Sequence, residues 1–215
     1  MPLYPDILNE DCSDISDWTD NDAGNSVSEV EPTGQLRLDG NTATTPNYAS
    51  RKRNIGSPPN TFSLEFKPYF NKAAIGVNTF DIKYLSSTWC LWITAQTTKL
   101  YVKKAGAVSI EIGTDIVKCN ASAAWQIFRF QVDKTTESTA TAEVFSKEEG
   151  GLWVSRGTVD CDYEGSFGEL LDGYIYIYQY GQDTNDIVTH IDYIKIATGL
   201  GEIYGDSTSD FLQLF

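Results

Sequence analysis

The chain has 215 residues, with 16 Lys plus Arg against 30 Asp plus Glu and a single His, a formal net charge of −14. Phosphate neutralisation needs a basic surface, so nucleic acid is excluded as a partner. No run approaches the roughly 18 apolar residues of a spanning helix, and membrane insertion is not expected. With 12 Tyr, 10 Phe and 5 Trp against one Met, the composition favours pleated, half-buried surfaces.

In chain order, the N-terminus lacks the basic and apolar regions of a secretion signal. The expected location is nevertheless outside the cell or on a virion surface, either with the signal already removed or by another route. Residues 1–24 carry Asp11, Asp14, Asp17, Asp20 and Asp22 around Trp18 and read as a loop-rich start. Next come short runs of period-two alternation punctuated by Gly, Pro, Asn or Asp, the pattern of many short strands. They cover residues 35–39, 61–68, 78–85, 89–94, 99–103, 108–112, 126–132, 139–145, 152–155, 173–180 and 190–197. The basic run Arg51-Lys52-Arg53 falls between them and reads as a solvated loop. Residues 166–171 offer at most one helical turn, and no longer segment holds a 3.6 period.

An antiparallel all-β chain must hide its strand edges, in a two-sheet sandwich or a closed barrel. Aromatic side chains on the face opposite the aliphatic stripe favour the two-sheet antiparallel β-sandwich. Residues 1–198 are read as one such domain. Residues 199–215 are read as a linker-like tail with an apolar end, Phe211 to Phe215, suited to docking, with a second copy of the chain as one partner. Cys12, Cys90, Cys119 and Cys161 form no CxxC or Cys/His cluster, which argues against zinc; two disulfides and four buried thiols both fit.

Several segments carry a family resemblance. Residues 7–18 followed by Gly34-Gln35-Leu36-Arg37-Leu38, and the closing residues 190–196, look like the first and last strands of concanavalin A-like, laminin G-like jelly rolls. Residues 125–133, led by Trp125 and ending in Val132-Asp133, resemble the family's central strand, and residues 142–146 the strand after it. Where members often place Asp-Gly in the hairpin, this chain has residues 147–151, Lys-Glu-Glu-Gly-Gly. The resemblance implies two curved, stacked sheets. It implies no single function, because the fold hosts lectins, glycosidases, polysaccharide lyases and adhesion modules.

The strongest local pattern is Tyr174-Ile175-Tyr176-Ile177-Tyr178-Gln179-Tyr180. Side chains alternate across a strand, so the tyrosines share one face and the isoleucines the other. Isoleucine belongs in the core, which leaves the tyrosines an outer, concave face with flat rings and hydroxyls for a sugar, where jelly rolls of this class place glycans. By parity Trp92 and Arg129 would join that face if their strands are neighbours. The resemblance further implies a structural Ca²⁺ where the N-terminal segment crosses the last strand, with Glu10, Asp11 and Asp192 in the matching places; calcium takes six to eight oxygens.

Catalysis has little support: His190 is the only histidine, and the chain has no GxSxG, HExxH, P-loop or Glu-x-Asp-x-x-Glu strand. A polysaccharide lyase could draw on Tyr176, Arg129 and His190. The leading expectation is a non-catalytic, lectin-like module for a glycan or polysaccharide. A structural or decoration protein of a virion or extracellular assembly, and the lyase, are the alternatives.

Overall fold

The computed structural model describes residues 3–24, 26–40, 48–71, 80–104, 108–113, 115–119, 122–136, 139–164, 170–181 and 188–204. They form two stacked antiparallel sheets and no α-helix. In the first sheet the order is β13 (Val154–Asp160), β12 (Thr139–Glu148), β11 (Gln126–Thr136), β6 (Thr61–Phe70), β15 (Val188–Thr198), β4 (Leu36–Asp39) and β3 (Val27–Val30), and β1 (Leu8–Glu10) also pairs with β15. In the second the order is β10 (Val108–Gly113), β9 (Lys99–Lys104), β8 (Cys90–Gln96), β7 (Phe80–Leu85), β14 (Tyr174–Tyr180), β5 (Tyr48–Asn54) and β2 (Thr19–Asp20). All eleven expected strands are present, that of 152–155 displaced to Val154–Asp160.

The core fills the space between the sheets, and the strand period selects its members. Phe62, Leu64 and Phe66 of β6 face inward beside Phe128, Phe130 and Val132 of β11. From the second sheet come Ile175 and Ile177 with Ile82, Tyr84, Leu91 and Ile93. Each fully buried aliphatic or aromatic side chain contributes about 1.5–3 kcal/mol.

The N-terminal segment is loop-rich, with the short strands β1 pairing with β15 and β2 with β5. One expectation fails here: Arg51-Lys52-Arg53 is not a loop but lies in β5, hydrogen-bonded between β14 and β2. Two of its charges are offset, because Arg53 reaches Glu10 and Asp17, both at 2.9 Å, and Arg51 reaches Asp20 at 3.4 Å. A strand whose inward charges meet partners from another segment leaves no hydrophobic alternation to read. Gly40, at the end of β4, is required by close approach: a Cβ there would lie 2.7 Å from the backbone of Tyr180 and Gly181.

All four cysteines are buried and none is in a disulfide. Burial pushes their thiols up, that of Cys161 to about 12 with Asp160 and Asp162 adding to the effect. Buried neutral thiols are poor nucleophiles and poor metal ligands. Residues 205–215, with the apolar terminus, lie outside the described residues, as do 166–169 of the helical turn expected over 166–171.

Candidate functional site

Strand β14 lies between β5 and β7, and its register sets the composition of the second sheet's outer face. Tyr176 stands opposite Lys52 and Lys83, Tyr178 opposite Ser50 and Asp81, and Tyr180 opposite Tyr48. Next, Lys83 pairs with Trp92 and Asp81 with Thr94. The tyrosine rings succeed one another at 6.1, 5.9 and 6.0 Å, and the Tyr176, Tyr178 and Tyr180 rings are nearly parallel. Tyr48 meets Tyr178 edge-on at 5.7 Å. Beside these rings is a depression of about 350 Å³, bordered by Asn21, Tyr48, Lys52, Lys83, Tyr178 and Tyr180, with Leu170 and Tyr176 at its side.

The row is less open than the sequence suggests. Tyr176 is only 2% exposed and Tyr178 7%, whereas Tyr48, Tyr174 and Tyr180 are half-buried. The cover comes from the chain after β13: Tyr163 packs edge-on against Trp92 at 5.3 Å and bridges to Cys90, and the Leu171 N–H donates to the Tyr176 hydroxyl at 2.8 Å. Partial exposure remains at Tyr48, Lys52, Trp92, Tyr174 and Tyr180.

A buried polar cluster supports this floor. The Asp81 carboxylate is 0% exposed and accepts from the Trp92 indole N–H at 2.9 Å, the Thr94 hydroxyl at 2.8 Å and the Tyr180 hydroxyl at 3.3 Å. Desolvation pushes its carboxyl up; Lys83 and the three donors act against that. The Lys83 ammonium is 3.5 Å from Asp81, 4.0 Å from the centre of the Trp92 ring and 4.6 Å from that of Tyr178, a cation held between two π-faces. Burial also raises the phenols of Tyr178 and Tyr180, so at neutral pH both are hydroxyls that donate and accept.

Of the sequence candidates, Tyr174, Tyr176, Tyr178 and Trp92 share this surface. Arg129 does not: it lies on β11 in the first sheet, because neighbouring parity cannot tell which sheet a strand enters. Its guanidinium lies over Trp153 at 3.8 Å, and Glu65 and Glu202 are each 3.6 Å away. His190 is also on the first sheet, 3.6 Å from Glu31. Tyr176, Arg129 and His190, on which a lyase could draw, are therefore divided between the sheets.

Beside Arg129, Glu65 is buried and accepts from the Tyr193 hydroxyl at 2.7 Å. Desolvation raises its carboxyl above the ordinary 4.5, while Tyr193 and Arg129 pull it down. A carboxyl raised in the folded state contributes stability that is complete below its unfolded value and is lost as pH rises through the folded one. The stability advantage of wild type over Glu65→Gln is thus expected to shrink as pH rises from 4.5. Urea melts of the two proteins at stepped pH measure it; a widening advantage would contradict the assignment.

The carboxylates expected to hold calcium do not form one cage. Glu10 accepts from the Cys12 N–H at 2.9 Å, the Trp18 indole at 2.8 Å and Arg53 at 2.9 Å, so both its oxygens are engaged. Asp11 caps the Ser13 N–H at 3.0 Å and hydroxyl at 2.7 Å. Asp192, at the β15 register shift, accepts from Lys67 at 2.8 Å. Among the described residues no group of three or more His, Cys, Asp or Glu side chains is arranged to hold a metal ion. Cationic and N–H donors occupy the positions that the resemblance gives to a cation.

Sequence reasoning missed Tyr48, Lys52, Asp81 and Lys83. The last two were legible in principle, since within residues 78–85 they alternate with Phe80, Ile82 and Tyr84. Tyr48 and Lys52 lie on the strand read as a loop.

No protein-family model matches the chain, and no curated protein matches it. Solved structures do. An endo-β-1,4-glucuronan lyase from the fungus Trichoderma reesei aligns over 94% of this chain and 99% of its own, with TM-score 0.59 and 10% identity. The metal-free lectin I-B4 of Griffonia simplicifolia covers 87% and 96%, with TM-score 0.57 and 10% identity. A carbohydrate esterase from the Shiga toxin-encoding bacteriophage phi24B covers 92% and 99%, with TM-score 0.57 and 11% identity. The chain has the concanavalin A-like jelly-roll fold.

Proposed function

We propose that the protein is a non-catalytic carbohydrate-binding module whose ligand sits in the depression beside Tyr48, Tyr178 and Tyr180. The observation that carries this reading is the row of aromatic rings along β14 beside a recess of about 350 Å³. Rings offer apolar area to the C–H faces of a sugar at low entropic cost, and neutral phenols serve its hydroxyls. The names of a lectin, a glucuronan lyase and a carbohydrate esterase among the structures that share the fold also support the reading. Binding is favoured over elimination because Tyr176, Arg129 and His190, the residues on which a lyase could draw, are divided between two sheets.

The test is a broad glycan array followed by calorimetry on wild type, Tyr48→Ala and Tyr180→Ala. Removing an aromatic anchor at the centre of a contact costs more than about 1 kcal/mol, so each variant is expected to bind roughly fivefold or more weakly. If no glycan on the array is retained by wild type, the reading fails.

A further inference from the structure

Resting on the carbohydrate reading, we infer that the preferred ligand at this depression is an anionic glycan, recognised through its carboxylate by Lys52 and Lys83. The charged side chains bordering the depression are these two lysines. They belong to a face whose charge runs against that of the whole chain. On strands β5, β14, β7, β8, β9 and β10 that face carries Lys52, Lys83, Lys99 and Lys103 against Asp81 and Glu111. The protein as a whole has a net charge of −14.

The lysines differ in what already satisfies them. Lys99 is paired with Glu111 at 2.8 Å and Lys83 with Asp81 at 3.5 Å. Arg51 and Arg53, the neighbours of Lys52 on β5, have carboxylate partners, but none of the described carboxylates pairs with Lys52. Its half-buried side chain borders the recess across from the fixed Lys83, whose side chain is only 8% exposed. Asp81 already offsets much of the Lys83 charge, so the uncompensated cation on the recess is Lys52, whose partial burial strengthens its attraction for a carboxylate relative to bulk water. At physiological ionic strength charges beyond about 8 Å are largely screened, so a ligand in the recess responds to these lysines rather than to the distant acidic surface.

The experiment titrates the full chain with short oligoglucuronates and oligogalacturonates. Each is compared with its carboxyl-reduced neutral counterpart, which keeps the same linkage. The acid form is expected to bind at least about tenfold tighter than the reduced form. Lys52→Gln is expected to lower the affinity for the acid form roughly fivefold more than that for the neutral form. Equal binding of the two forms, binding confined to neutral glycans, or an acid preference undiminished by Lys52→Gln overturns this inference and leaves the carbohydrate reading intact. If neither these oligomers nor any arrayed glycan binds, the carbohydrate reading itself falls and this inference with it.

Discussion

Asp81→Leu is expected to destabilise the protein by roughly 3–5 kcal/mol, the range for removing one partner of a buried ion pair. The substitution leaves the Lys83 ammonium, in a side chain 8% exposed, without its counter-ion. It also strips the acceptor from the Trp92 indole and the Thr94 hydroxyl. For a chain of this length such a loss lowers the melting temperature by roughly 10 °C. The partner variant separates the causes. In Asp81→Leu with Lys83→Met the uncompensated charge is gone and the alkyl stem still lies between Trp92 and Tyr178, so the double variant is expected to recover more than half of the loss. Thermal and urea melts of the two single variants and the double complete the cycle. If the double variant loses the sum of the singles, the buried pair is not what holds this face together.

The second large effect is at Tyr176. Strand parity alone makes it an outward ligand platform and Ile175 the core residue, so that truncating the tyrosine would cost little stability. Its 2% exposure reverses that ranking. The ring packs beside Tyr174 and Tyr178, and its hydroxyl accepts the Leu171 N–H at 2.8 Å. Tyr176→Ala is therefore expected to cost about 3–5 kcal/mol, comparable with Ile175→Ala, because both leave cavities in packed surroundings. Tyr176→Phe keeps the ring and loses only the acceptor, a change of about 1 kcal/mol. Urea denaturation of the three variants distinguishes them. A loss below about 1 kcal/mol for Tyr176→Ala would mean that the row is open along its whole length.

What was legible in the sequence followed from local periodicity. The alternation of Phe62, Leu64 and Phe66, of Phe128, Phe130 and Val132, and of Ile175 and Ile177 located the strands and the inward face of each. It works because a side chain's direction in a strand depends only on its own backbone and the core rewards apolar surface residue by residue. The strands β1, β2 and β5 were not legible from periodicity because their pairing is decided by partners remote in sequence, and β3, which pairs with the next strand β4, exposes Val27 and buries Ser28 against the apolar-inward pattern. Arg53 tolerates its place on β5 only because Glu10 and Asp17 arrive from the N-terminal segment.

The candidate site divides along the same line. The sequence by itself determined that four tyrosines share one side of one strand, that Trp92 and Arg129 point away from the core, and that the chain as a whole is strongly acidic. Only the tertiary structure decided that Trp92 shares the tyrosine face while Arg129 lies on the other sheet. It also decided that Tyr176 is covered by residues 170–171, and that Lys52 and Lys83 border the recess. Alternation fixes which side of a strand a residue takes, but which strands become neighbours, and what crosses over them, is set by long-range pairing and packing. Those contacts depend on the free energy of the whole assembled sandwich, which no local window of sequence contains.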